Sequence, residues 1–434
     1  MLKTGLAVLP NDPGQERSLR NTDTNNLSPR LGIAYTVNPK TVIRSGFGIS
    51  FVEGYNVGNQ MYKNLPFFFS QIYAYDSAGA PGLTMSQGIP LPAAPPINDR
   101  AALASTNMQV YDFNARMEKM LQWSFGVQRQ ISDPLSLEVS YIGSRGIDLL
   151  TPVALNQAYP GPGPLLLRRP LYLAGINQSI GSLRYASNVG DSRYESLQAR
   201  LAVRSYHGLT TSVAYTYSHY LNDIGQITGG SNIVNARCYK CEMADDPTDR
   251  RHVMIVNHVY ELPFGHTHQY LSSGLLGQVI GTWQISGIWS VMTGTHFSPT
   301  LATGVTNTAE GTGLFSSGTE RPVCSLGGGD LPSGERTLNR WFNVGAFSIP
   351  QTYTFGNCGA YILMGPGYFS TDLGIHRSFS ITEGKKLTFR WEMFNAFNRA
   401  NFSNPNASIG AATAGQISST QPPRSMQLAL KFLF

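Results

Sequence analysis

The amino-acid sequence predicts an all-β protein, specifically the C-terminal portion of an antiparallel transmembrane β-barrel. Only 13% of the 434 residues are charged, and the chain contains 45 Gly, 21 Tyr and 21 Phe. Soluble domains typically have about 25% charged residues. Eleven segments alternate between apolar and polar residues, which indicates strands with one apolar and one polar face. Short and long connections also alternate along the chain, as they do in outer-membrane barrels.

Composition and charge exclude several other classes of protein. No apolar run approaches the roughly 18 residues that a transmembrane helix needs. The net charge of +6 is not gathered into basic runs, so no nucleic-acid partner is expected. Composition alone is also compatible with a large soluble all-β protein. The lengths of the connections between the predicted strands, described below, argue against that alternative.

The predicted strands have the length and spacing of membrane-spanning β-strands. Most are about ten residues long, which is what a tilted strand needs to cross a bilayer. In chain order they are 30–37, 41–51, 121–131, 135–145, 194–204, 209–219, 251–262, 281–293, 371–381, 387–397 and 424–434.

The connections place all long loops at one end of the predicted sheet. The connections 38–40, 132–134, 205–208 and 382–386 are tight, and 263–280 is of moderate length. A soluble sandwich has no physical reason to put every long loop on one side, whereas outer-membrane barrels have short periplasmic turns and long outer loops. The long connections are rich in Gly, Pro, Asn and Ser, and they are 52–120, 146–193, 220–250, 294–370 and 398–423.

The strand count predicts a part of a larger barrel. With short turns in the periplasm, strand 30–37 runs inward and residues 1–29 begin on the outer side, whereas a complete barrel begins in the periplasm. Single-chain bacterial barrels have even strand numbers. Eleven is half of the roughly 22 strands of plugged outer-membrane transporters. We therefore expect about 11 strands of a 22-stranded barrel, which form an open half-barrel in isolation.

Six segments resemble the Oar-like branch of TonB-dependent outer-membrane receptors. Members of this branch often carry an N-terminal carboxypeptidase-regulatory-like domain and are abundant in Acidobacteria. The matching segments appear in the family's order and span nearly the whole chain. They are 28–51, 122–146, 194–219, 249–265, 388–405 and the C-terminal LKFLF, residues 430–434.

The resemblance implies an outer-membrane location in a Gram-negative-type bacterium and energised import or export of a bulky solute. The plug domain, and through it the contact with TonB, would lie upstream of this chain. Other implied partners are outer-membrane lipid, an unknown solute and the barrel-assembly machinery. That machinery would read Leu430, Phe432 and Phe434 as an assembly signal. The alternative function is a passive or structural surface barrel, porin-like or adhesin, and the sequence upstream of Met1 would distinguish the two.

The polar faces of the strands supply the candidate site residues. We predict that these residues line the lumen, where they either contact a plug or solute or form a hydrated wall with paired charges across neighbouring strands. The hydrated wall is the favoured interpretation, and Arg390 and Glu392 are the expected ion pair. The candidates are Arg44, Glu138, Arg200, Arg204, Asn257, Glu261, Arg390, Glu392 and Lys431.

Four cysteines indicate an oxidising compartment and allow three pairings. We predict that Cys324 and Cys358 pair within one outer loop. Cys238 and Cys241 either pair locally or stay reduced. The CYKC segment could hold a metal, but no second Cys pair follows at zinc-finger spacing, so we expect no metal and no cofactor.

The sequence also predicts that the protein is not an enzyme. Ser218, His219, Asp249 and His252 include the residue types of a hydrolase triad. Ser218 and His219 are neighbours on one strand, so their side chains face opposite sides. No G-x-S-x-G elbow and no H-E-x-x-H motif is present.

Overall fold

The computed structural model describes most of the chain. It leaves out residues 1–5, 10–11, 16, 53–82, 89–97, 104–107, 224–232, 266–269, 272, 309–319, 326–327 and 383, and every structural statement below concerns the remaining residues. Among these, no helix is long and apolar enough to cross a membrane.

Eleven long strands form one antiparallel sheet in which each strand pairs with the next along the chain. The predicted all-β, antiparallel fold is confirmed. Each long strand forms from a segment in which apolar and polar residues alternate, because a pleated strand presents successive side chains to opposite faces. The strands are β1 (Arg30–Asn38), β2 (Thr41–Val52), β3 (Glu118–Gln130), β4 (Leu135–Ala154), β5 (Leu183–Tyr206), β6 (Leu209–Asn222), β7 (His252–Glu261), β8 (Gln284–Met292), β9 (Tyr368–Thr382), β10 (Lys385–Phe394) and β11 (Ser425–Leu433).

The remaining regular elements are short. Two short strands extend the sheet: Met108–Tyr111 pairs in parallel with β5, and Ala244–Asp245 pairs with β6. Other two-residue strands are His296–Phe297, Thr300–Leu301, Val323–Cys324, Phe347–Ser348, Leu363–Met364 and Ser408–Ile409. The α-helices are Arg100–Leu103, Pro170–Leu173 and Gly274–Ile280, and the 3-10 helices are Met85–Gln87, Leu166–Arg168, Tyr239–Glu242, Ser333–Glu335 and Val344–Ala346.

β4 and β5 extend well past the predicted segments 135–145 and 194–204. They contain 20 and 24 residues. At about 3.3 Å per residue, β5 is roughly 80 Å long, more than twice the thickness of a bilayer core. Outside lipid, neither face of a strand has to be apolar. The alternation of apolar and polar residues therefore ends before β4 and β5 end.

Two predicted strands are too long at one end. Residues 281–283 of the predicted strand 281–293 follow the helix Gly274–Ile280, and Thr282 has a φ of 60°. The predicted strand 387–397 ends at Phe394, because Asn395 turns with a φ of 48° and donates its backbone N–H to Asp372 Oδ1 at 2.9 Å. Positive φ is incompatible with an extended strand.

The register separates the sheet into an apolar face and a polar face. Residues directly opposite each other point the same way. Tyr35 opposes Ile43, and Leu428 opposes Trp391. On the apolar face, Leu31 and Leu428 are 67% and 69% exposed. A continuous exposed apolar face of this kind suits lipid rather than water.

The sheet is open, as expected for this chain alone. β1 and β11 are the two ends of the strand order, and the described residues of these strands do not pair with each other. Each edge therefore presents backbone N–H and C=O groups without a strand partner. In hydrocarbon such groups cost several kcal/mol each, so an unpaired strand edge is unfavourable inside a bilayer.

The long connections at the end of the sheet opposite the tight turns contain a folded layer, which we call the rim loops. Their described parts are 233–251, 293–308, 320–325, 328–367 and 395–424. All of these segments except 233–251 contribute to an apolar core that includes Phe297, Phe342, Leu363 and Ile409. Disulfides join Cys324 to Cys358 and Cys238 to Cys241. The rim loops thus have a core of their own above the barrel wall.

Leu428→Arg tests the assignment of the apolar face. We expect the substitution to destabilise the membrane-inserted protein by roughly 2–4 kcal/mol, because a charge near the middle of a lipid-facing strand loses its hydration. Gln427→Arg is the matched control, because Gln427 is the next residue and opposes Glu392 on the polar face. Refolding titrations into bilayers measure both. Equal tolerance of the two substitutions would refute the assignment.

Replacing Cys324 and Cys358 by Ser tests the larger disulfide. The bond spans 34 residues, and its loss should destabilise the rim loops by about 3–4 kcal/mol in the chain-entropy model. Hydrogen exchange of rim-loop amides measures the change. The double replacement of Cys238 and Cys241 is the control and should cost less, because that bond spans only three residues. A Cys238–Cys358 cross-link in non-reduced peptides would contradict the pairing.

Candidate functional site: the polar face and the rim loops

All nine candidate residues lie on the polar face of the sheet. Glu138 opposes Arg200, and Glu392 opposes Gln427. Each long strand pairs in register with the next, and paired residues point to the same side of the sheet. The register alone therefore brings the candidates to one side. The function of this face as a lumen wall stays a prediction.

Five of the candidates line one open cavity of about 640 Å³: Glu138, Arg200, Arg204, Asn257 and Glu392. Its wall runs from Gln128 in β3 to Phe394 in β10 and so includes eight consecutive strands. Eight strands in a flat sheet would span roughly 34 Å. A cavity of this volume that contacts all of them indicates that the sheet curls around its polar face.

Polar contacts hold several wall residues in place. Arg200 Nε donates to Ser212 Oγ at 3.4 Å, across the β5–β6 pair. Arg390 forms the predicted ion pair with Glu392, and Gln427 Nε2 donates to the second carboxylate oxygen of Glu392. The candidate residues thus give the wall a polar surface with charges of both signs.

The other candidates lie outside the main cavity. Arg44 opposes Gly126 in β3, and Lys431 opposes Thr388 in β10. Glu261 lines a second, smaller cavity of about 290 Å³ near the tight-turn end, together with Gln284 and His376.

Sequence reasoning missed three polar wall residues: Ser286, Asp372 and His376. Ser286 Oγ and His376 Nε2 are 2.7 Å apart, across the β8–β9 pair. Asp372 and His376 line the main cavity with Ser286. All three lie within predicted strands, at the alternate positions that face the same side, so the period of two was the signal that would have found them.

The residues with the types of a hydrolase triad have separate partners. Ser218 Oγ donates to the backbone oxygen of Arg250 at 3.2 Å, while His219 Nε2 lies 2.8 Å from Asp245 Oδ1. His252 Nδ1 lies 2.7 Å from the Tyr215 hydroxyl. These contacts hold the strand ends and do not form a nucleophile–base pair.

Buried charges connect the rim loops to one another. Glu242 and Arg321 form an ion pair in which the side chains are only 6% and 7% exposed. Glu242 Oε1 also accepts the backbone N–H of Val234 at 3.2 Å. Nearby, burial raises the pKa of the Asp249 carboxyl, and the Arg251 guanidinium opposes that rise. The rim loops therefore depend on buried polar contacts as well as on their apolar core.

Nearly the whole sequence matches one protein family. The family described as outer membrane beta barrel domain matches residues 2–427. The chain belongs to this family. The barrel domain is therefore an outer-membrane protein, as predicted, and lipid covers the apolar face of its sheet. No curated protein sequence matches the chain.

Several solved structures are similar to the barrel domain. The outer membrane transporter YddB from Escherichia coli has a TM-score of 0.50 at 9% identity, over 94% of this chain and 41% of that chain. FpvA of P. aeruginosa bound to pyoverdines has a TM-score of 0.44 at 10% identity, over 95% of this chain and 33% of that chain. BauA, the ferric preacinetobactin receptor from Acinetobacter baumannii, has a TM-score of 0.42 at 10% identity, over 94% of this chain and 36% of that chain. The barrel domain thus spans between a third and about two fifths of the length of these similar proteins.

Glu242→Gln tests the buried ion pair of the rim loops. It should destabilise them by roughly 3–5 kcal/mol, because Arg321 loses its carboxylate partner while it stays buried. Hydrogen exchange of rim-loop amides gives the free energy. Glu195→Gln is the control, since Glu195 pairs with Arg193 at an exposed site, where a pair contributes about 0–1 kcal/mol. Equal losses in the two variants would show that burial does not set the strength of the Glu242–Arg321 pair.

Proposed function

We propose that the barrel domain forms the C-terminal wall of a TonB-dependent receptor that moves a bulky solute across the outer membrane. The continuous polar face is the observation that carries this proposal. It includes all nine candidate residues, and it lines a cavity open to solvent. A water-filled path along such a wall lets a polar solute pass without contact with lipid.

Energy for transport would enter through a part of the protein outside this chain. In the proposed cycle, TonB pulls on a plug that fills the lumen, and charged groups of the wall hold the plug while it is closed. Arg200 and Arg204, both on the polar face, are the wall cations positioned to contact it. The Oar-like subtype and the bacterial phylum are parts of the same proposal.

The rim loops would receive the solute on the outer side. Their folded core and disulfides fix the loops instead of leaving them free, which lowers the entropic cost of binding. At the opposite rim, Leu430 and Phe432 in the edge strand β11 and Phe434 directly after it are exposed. We propose that the assembly machinery reads this edge by adding a strand to it.

The first experiment concerns the chain alone. Reconstituted into planar bilayers, it should give no stable unitary conductance, because the unpaired edges of β1 and β11 prevent closure of a pore. Stable, voltage-independent current steps would instead establish a passive porin-like barrel. Protection of the strands from added protease in the same bilayers serves as the control that the sheet has inserted.

The second experiment concerns TonB. The reading frame upstream of the Met1 codon should encode a plug, and the complete product should retain the periplasmic domain of TonB in a pull-down. The present chain alone is the matched control and should not retain it. An in-frame stop codon directly upstream, or a complete product that does not retain the periplasmic domain of TonB, would favour a structural surface barrel.

A further inference from the structure

Two carboxylates and an imidazole meet at the base of the rim loops, at the ends of β6 and β7. Asp245 and Asp249 come from the connection before β7, and His296 comes from the connection after β8. One potential ligand atom from each residue lies within 4.8 Å of the other two. His296 is distant in sequence from the two carboxylates, and the sheet brings them together.

Each carboxylate has one oxygen held by the protein. Asp245 Oδ1 lies 2.7 Å from Arg251 Nη2 and 2.8 Å from His219 Nε2. Asp249 Oδ1 accepts the backbone N–H of Tyr220 at 2.8 Å. Outer contacts of this kind orient the ligands of protein-bound metals, because they fix the direction of the remaining oxygen.

The remaining atoms face one another in a buried space. Asp249 Oδ2 and His296 Nε2 are buried and have no hydrogen-bond partner among the described residues. The side chains of Asp249 and His296 are 1% and 9% exposed. The two atoms are 3.7 Å apart, and Asp245 Oδ2 is 3.9 Å from His296 Nδ1. Buried polar atoms without partners are costly unless a water or an ion satisfies them.

Charge also favours a cation at this place. With neutral His296, the two carboxylates carry two negative charges, and Arg251 supplies one positive charge. Its Nη1 is 3.7 Å from Asp249 Oδ2, too far for a hydrogen bond. Ligand atoms around a tetrahedral zinc ion are roughly 3.4 Å apart, since Zn–N and Zn–O bonds are about 2.0–2.2 Å. The 3.7 Å between Asp249 Oδ2 and His296 Nε2 is close to that value, and one ligand atom from each of the three residues lies within 4.8 Å of the other two.

We propose that Asp245, Asp249 and His296 bind a divalent transition-metal ion of the zinc type. One nitrogen and two carboxylate oxygens leave a fourth position for water, which suits zinc better than calcium, a cation with six to eight oxygen ligands. The ion would clamp the connection before β7 to the connection after β8. Its role is structural, and it is independent of the proposed transport function.

Zinc binding by the complete chain tests the proposal. The chain is refolded in detergent without a polyhistidine tag, with its disulfides oxidised, and dialysed against ZnCl₂. We expect one zinc ion per chain by elemental analysis. Asp249→Asn and His296→Gln should each weaken binding at least about tenfold. The amide oxygen introduced by Asp249→Asn would still accept the Tyr220 N–H, so this variant should keep the local fold.

Matched controls come from the opposite end of the sheet. Asp133 and His207 lie exposed in tight turns, so Asp133→Asn and His207→Gln should bind zinc as the unchanged chain does. A second readout is the thermal unfolding midpoint, which ZnCl₂ should raise in the unchanged chain and in both controls but not in the two ligand variants.

Two outcomes would overturn the metal site. One is the absence of stoichiometric zinc, or equal binding by ligand variants and controls. The other is a thermal unfolding midpoint that changes with neither ZnCl₂ nor EDTA, which would show that no bound ion stabilises these connections.

Discussion

Backbone hydrogen bonding in hydrocarbon is the constraint on which the structure depends. Inside a bilayer no water pairs with a free N–H or C=O group, so a spanning strand must find its partners on two neighbouring strands. The eleven long strands meet this demand by pairing each with the next along the chain. Among them, β1 and β11 keep an open edge. The constraint thus explains the regular meander of the long strands.

The register imposed by this pairing also makes the polar wall. A shift of one residue would exchange the two faces of a strand and place charges in lipid. With the observed register, Arg390, Glu392 and Gln427 meet on the polar side, while Leu428 and Trp391 meet on the apolar side. The Arg390–Glu392 ion pair and the contact of Gln427 with Glu392 lie on the polar face because of this register.

Above the membrane the constraint relaxes, and different interactions take over. β4 and β5 continue far beyond the bilayer thickness, and the rim loops fold around their own apolar core. There, buried ion pairs such as Glu242–Arg321 and the Asp245–Asp249–His296 cluster join segments from different connections. Stability in the rim loops therefore comes from specific long-range contacts, whereas stability in the wall comes from repeated local pairing.

The sequence by itself determined the strands within the membrane, their order and the faces of their side chains. It did so because a strand between lipid and water must alternate with a period of two, as Leu387, Phe389 and Trp391 do against Arg390 and Glu392. The tertiary structure decided the rest: the length of β5, the curl of the sheet and the meeting of Asp249 with His296. These depend on contacts between residues far apart in the chain, for which no local period exists.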